Sequence, residues 1–215
     1  VFYEDLLAAT ESARSEFLEI DAIKRGMMGQ ISLPAYVAFL VQAYHHVKHT
    51  VPLLMACGSR LPMHKEWLRE AIAEYIEEET GHQEWILNDI EACGMDKEHV
   101  RNGKPHASTE LMVAYAWDSV QRGNPASLFG MVLVLEGTSV NLATMAAESI
   151  QQALDLPDAA FSYLTSHGSL DVSHMKFFEK LMNRIQEEDD RQAITHMANM
   201  MYALYGNVFR SLPLD

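Results

Sequence analysis

A chain of 215 residues, 48% apolar and 21% charged, is long enough to bury a sizeable core and has the composition of an ordered globular protein. Its 30 acidic against 16 basic residues give a formal net charge of −14, which excludes a surface built for nucleic acid and disfavours an anionic membrane surface. Two cysteines, Cys57 and Cys93, exclude a disulfide framework and fit a reducing, cytoplasmic compartment; the longest apolar stretch, Leu128 to Leu135, is too short to span a bilayer, and no signal peptide is visible from Val1 onward.

No segment sustains the period-2 alternation of a half-buried strand, so the pattern predicts an all-α fold. A first helix is expected from about Glu4 to Lys24, with Leu6, Leu7, Phe17, Leu18 and Ile20 facing inward, ended by Gly26 and Gly29. Ser32 then offers an N-cap and Pro34 a first-turn proline for a second helix, running to about Ala56 and stopping at Gly58. A third runs from near His64 to Cys93, with Gly94 just beyond its end. Residues 95–108 are polar and read as a loop. A fourth helix covers about Thr109 to Arg122, and Pro125 opens a strongly apolar fifth that lasts to about Leu154. Pro157 opens a short element, followed by helices from about Ser169 to Glu187 and from about Asp190 to Phe209. No repeat or composition shift divides the chain, so residues 1–215 are expected to form one bundle of about seven helices.

Three segments carry residues suited to metal chemistry. In SHGSLDVSH, His167, Asp171 and His174 lie four and three residues apart, and helical geometry returns all three to within roughly 40° of one direction. Imidazole, carboxylate and imidazole on one stripe suit a transition metal; a solvated polar face is the alternative. Glu136 follows eight apolar residues, and a carboxylate on a helix apolar all round needs a metal, an arginine or a proton, unless it marks the wet end of that helix. In EEETGHQEW, Glu79 and His82 are three apart and Glu78 and His82 four apart, so either pair could chelate one ion. A fourth cluster, Tyr44, His45, His46 and His49, reads as partly exposed or supporting. Taken together, three helices supply three histidines and three carboxylates, and two divalent ions would nearly neutralise them. Nitrogen and oxygen donors without cysteine favour iron or manganese over structural zinc.

This arrangement resembles the haem-oxygenase-like di-metal oxidases and oxygenases, whose fold is shared by TenA-type thiaminase II proteins, the quinone-cofactor synthase PqqC and haem oxygenase. The resemblance spans nearly the whole chain, and the H-x3-D-x2-H element is its most specific part. It implies a haem-oxygenase-like helical bundle and a ligand set of Glu79, His82, Glu136, His167, Asp171 and His174. One family pattern takes its upstream carboxylate seven residues before the histidine, where this chain has Tyr75; Glu79 matches another pattern, with Glu78 as the fallback. The TenA reading departs at Gln42-Ala43-Tyr44, which lacks the pyrimidine-binding Asp, and at Leu128–Val132, which lacks the nucleophilic Cys. Haem oxygenase chemistry would need an axial histidine on the first helix, and the first clear histidine here is His45.

The resemblance therefore implies an oxidoreductase: a non-haem di-iron oxidase or oxygenase that binds two Fe(II), with Mn as the alternative metal, and needs no organic cofactor. It would use O2 to oxidise a small organic metabolite, with Gln42, Tyr44 and Tyr75 as supporting or substrate contacts. The alternatives on the same fold are thiaminase II-like pyrimidine salvage and a PqqC-like oxidation without metal; a non-enzymatic binder is the third. The resemblance also implies a homodimer, with no nucleic-acid or membrane partner.

Overall fold

The break between the first two helical segments comes where Ile20 leaves helical geometry and turns its buried side chain toward Gly206, where an added Cβ would stand 2.9 Å from the Ile20 Cδ1. In the computed structural model, α1 therefore covers Phe2–Leu18 and α2 covers Asp21–Met27. The structure describes residues 1–214; the side chains of Asn141 and of residues 167–172 lie outside the described set. The segment read as one helix from Pro34 to Ala56 is likewise two, α3 (Leu33–Val47) and α4 (Thr50–Arg60). Pro52 is the cause: its ring clashes with the carbonyl four residues back and it has no N–H to donate, so it fits only in the first turn of a new helix. Ser32 caps α3 as expected, its hydroxyl accepting from the Ala35 N–H.

A third break falls inside the expected helix from His64 to Cys93. After a short 3-10 turn at Met63–Lys65, α5 (Glu66–Glu79) ends and α6 (His82–Ala92) begins at Gly81, whose φ is +95°. That left-handed conformation is open to glycine and disfavoured for other residues. The polar stretch 95–108 contains one short helix, α7 (Lys97–Arg101), capped by the Asp96 carboxylate. Three of the rest follow the sequence closely: α8 (Ala107–Arg122), α9 (Leu128–Leu154) and α11 (Glu188–Arg210); α10 (Ser162–Met182) starts and ends earlier than the expected span from about Ser169 to Glu187, because it begins directly after the short turn at Asp158–Ala160. The described residues thus hold eleven α-helices where about seven were expected, because Ile20, Pro52 and Gly81 each divide a longer segment and α7 forms within the expected loop.

Helix α9 is central, packing most extensively on α10 and α11 and also touching α2, α4 and α8. Its N-terminal half enters one hydrophobic cluster through Leu128, Phe129, Met131, Leu133 and Val134. Its C-terminal half enters a second through Ala143, Ala147 and Ile150. Glu136 stands between the two. Gly130 lets α9 approach α11 closely: a Cβ there would collide with the Ile194 carbonyl and stand 2.7 Å from the Ala198 nitrogen. No single helix among the described residues is long and apolar enough to cross a membrane.

Candidate metal centre

The last turn of α5 and the first residue of α6 supply one side of the site. Glu79 closes α5 and His82 opens α6, so the pair is three residues apart across a bend rather than on one continuous helix face. The bend still brings them together, with His82 Nδ1 3.1 Å from Glu79 Oε2 and both side chains nearly buried. The His82 ring stacks on Trp85 with centroids 4.2 Å apart, which fixes its plane.

The opposite side comes from α9 and α10. The Glu136 side chain is 11% exposed, and its Oε1 lies 3.8 Å from Nδ1 of the buried His174. The other nitrogen of that imidazole, Nε2, lies 3.0 Å from Glu78 Oε2, so Glu78 reaches the site beside Glu79. One donor atom each from Glu79, Glu136 and His174 falls within 4.8 Å of the others. Helix α10 is held in place by Asp89 of α6, which is fully buried and accepts from the backbone N–H groups of Ser162 at 3.1 Å and Tyr163 at 2.8 Å. His167 and Asp171, the other two members of the H-x3-D-x2-H element, lie outside the described residues.

The donor set fits a divalent transition ion. Donors each about 2.1 Å from one ion stand at most about 4.2 Å apart, a spacing comparable with that of this trio. Carboxylates crowded in a buried place repel one another, and a cation or protons must compensate. The buried Tyr75 hydroxyl, which has no hydrogen-bond partner among the described residues, also points to a missing polar group. Burial pushes its ionisation far above the ordinary tyrosine range, and the charges of Glu136, Glu78 and Glu79 push it further, so Tyr75 is a neutral O–H donor.

A cavity adjoins these residues, with Tyr75, Glu79 and Glu136 at its polar end and Leu53, Met131 and Leu135 among its apolar walls. His46 also lines it, buried and edge-on to Tyr205. Of the two readings of the histidine cluster, His46 fits the supporting one and not the partly exposed one, because His45 and His46 sit side by side in a helix end that is buried almost all round. His45 turns elsewhere, its Nδ1 3.2 Å from Lys48 Nζ, and burial lowers its pKa to about 4. His49 accepts from the Trp117 indole. Of the three residues expected as supporting contacts, only Tyr75 lines the cavity. Gln42 instead accepts from the His106 N–H and the Thr109 hydroxyl at the start of α8, and Tyr44 packs beside His45 and beneath Lys48.

A family model described as "iron-containing redox enzyme" matches residues 37–206, a span that includes every proposed ligand. No curated protein matches the chain. Among solved structures, the chain is similar to a domain of unknown function with a heme oxygenase-like fold from Shewanella denitrificans, with a TM-score of 0.84 and 20% identity over 98% of this chain and 90% of that one. It is also similar to a TenA homologue from Pseudomonas syringae (TM-score 0.79, 13% identity, covering 99% and 93%). A third is heme oxygenase-1 from Synechocystis, solved in complex with heme (TM-score 0.77, 14% identity, covering 97% and 90%). These likenesses establish the all-α haem-oxygenase-like fold.

Proposed function

This chain belongs to the iron-containing redox enzyme family, and on that footing we propose that it is a non-haem di-iron oxidase or oxygenase acting on a small organic molecule. The observation that carries the reading is the meeting of Glu79, Glu136 and His174, from three different helices, within 4.8 Å at the end of a cavity. His82, His167 and Asp171 would complete the set for two ions, with Mn as the alternative metal. When bound, such ions supply Lewis acidity and the electrons for reducing O2.

The chain's own residues do the rest. Glu79 and Glu136 bring negative charge that favours a divalent cation, and His174 and His82 bring neutral nitrogen donors. Trp85 fixes the His82 ring, and Asp89 fixes the start of the helix that carries His174. Tyr75 offers an O–H donor at the polar end of the cavity. Leu53, Met131 and Leu135 keep bulk water from that end, where a low dielectric strengthens each polar contact.

The test is elemental analysis of protein produced with iron supplementation, alongside Glu136→Ala and His174→Ala, followed by O2 uptake by protein loaded anaerobically with Fe(II). About two irons per chain, lost in both variants together with O2 uptake, is the expected result. Absence of stoichiometric metal after anaerobic loading would overturn the reading and move the weight to a metal-free reaction in the same cavity.

A further inference from the structure

A second cavity lies between α2, α3, α9, α10, α11 and the turn after it. Its walls include Ile23, Phe39, Leu142, Ala146, Ile150 and Leu212, and among the described residues no lining side chain is charged, in a protein with 21% charged residues. Several nominally polar lining groups are also closed off. The Tyr36 hydroxyl donates to the Ala160 carbonyl at 2.6 Å, Thr138 to Val134 at 2.6 Å and Ser139 to Leu135 at 3.0 Å. The chamber therefore shows an occupant carbon and aromatic faces. Ser139, Tyr163 and Tyr205 line both this chamber and the cavity that holds Glu79 and Glu136, so the two meet there.

We infer that the chamber receives the uncharged hydrocarbon tail of a substrate whose reacting end lies at Glu79, Glu136 and His174. The reacting end rests on the di-iron reading; the tail site does not. Protein interiors pack densely, with few voids wider than a water molecule, so an apolar space lined from five helices is out of the ordinary. From Ser139 to Ile150, α9 gives the chamber a wall about 16 Å long at 1.5 Å per residue, which suits an elongated tail. Leu212 and Leu214 form part of the chamber wall, and Arg25 Nη1 donates to the Leu214 carbonyl at 3.4 Å.

The experiment titrates a homologous series of straight-chain 1-alkanols onto the protein by calorimetry, with and without prior Fe(II) loading. Affinity should rise about fourfold per methylene until the chamber is filled, as expected for about 0.8 kcal/mol per buried CH2. Gly26 provides the control. It lines the chamber, has no positive φ, and a Cβ added there meets nothing within 4 Å. Gly26→Phe should plug the chamber and stop the rise at a shorter alkanol, with Gly26→Leu as a smaller plug should Gly26→Phe melt at a lower temperature than the parent. Affinity that is flat with chain length in the unaltered protein, or a rise that both folded variants leave unchanged, would overturn the proposal. Iron content is measured separately. A chain-length dependence without iron uptake supports the chamber while removing the metal reading; iron uptake without a chain-length dependence overturns the chamber alone.

Discussion

Asp89 is where the fold and the candidate centre are most directly coupled, and replacing it gives a quantitative test. The first residues of α10 present N–H groups that have no partner within their own helix. In most helices a residue just before the first turn accepts them. Here a carboxylate from α6 does so, with Oδ1 accepting from the Ser162 N–H and hydroxyl and Oδ2 from the Tyr163 N–H. Asp89→Ala leaves two backbone donors without that acceptor in a buried place, at about 1–3 kcal/mol each, partly offset by no longer burying a carboxylate. We expect a net loss of about 2–4 kcal/mol, a large share of the roughly 5–15 kcal/mol that holds a typical domain together. Asp89→Asn keeps one of the two oxygens and should cost about half as much. Urea unfolding reads both, and amide exchange should show the loss concentrated at the start of α10.

The same residue predicts a pH dependence. Burial raises the Asp89 carboxyl above its ordinary 3.8, while the Ser162 and Tyr163 donors pull it back down. In the window above 3.8 the folded protein therefore holds a proton that the unfolded chain has released. Stability from this group then falls as pH rises through the window. Asparagine does not titrate, so the cost of Asp89→Asn should be largest in acid and shrink across that window. A loss below about 1 kcal/mol for Asp89→Ala, or a cost of Asp89→Asn that grows with pH there, would refute the reasoning.

Three further outcomes follow from other positions. Gly130→Ala should cost about 3 kcal/mol or more by urea unfolding, because the new methyl meets the Ile194 and Ala198 backbone of α11 and not a side chain that can turn away. Gly81→Ala meets no neighbour within 4 Å, so its cost should be only the strain of a positive φ, about 1–2 kcal/mol; because it disturbs the bend between Glu79 and His82, iron content should drop along with the melting temperature. His45 stays neutral in the folded protein down to about pH 4, whereas the unfolded chain protonates near 6.5, so its share of stability is lost as pH falls through that interval; His45→Gln should flatten the acid side of the stability profile between those values.

The sequence made the helical class, the cap at Ser32 and the position of Glu136 legible, each for a local reason. An apolar run ending in one carboxylate announces that the carboxylate will be crowded, and the structure sets Glu136 nearly buried beside His174. The helix breaks at Ile20, Pro52 and Gly81 were less legible. A proline in a first turn and a glycine inside an otherwise helical run both allow continuation or interruption, and packing decides between them. Ile20 carries no breaking signal at all; where it leaves the helix its buried side chain packs against Gly206 on distant α11. Whether His46 was exposed or supporting was open for a similar reason. Its neighbours in sequence are as polar as those of an exposed residue, and only the closeness of Tyr205 and the α9 wall puts it in the cavity.

The bend at Gly81 also bears on the electrostatics. On a straight helix, Glu78 and Glu79 would be followed by more helix and the two carboxylates would sit near its middle. Because α5 stops at Glu79, both lie at a helix C-terminus, where the macrodipole is negative and disfavours further negative charge. The restart at His82 sets the positive end of α6 close by and offsets part of this, yet Glu136 approaches from α9 to add another carboxylate. The ion pairs described for these groups run to imidazoles, which are charged only when protonated. A compensating cation or bound protons is thus what this corner of the molecule asks for. The chamber joined to it through Ser139, Tyr163 and Tyr205 asks for the opposite, an occupant with no charge at all. A metal ion alone satisfies only the first demand and a free hydrocarbon only the second. A metal ion with a substrate that is polar at one end and apolar along its length satisfies both.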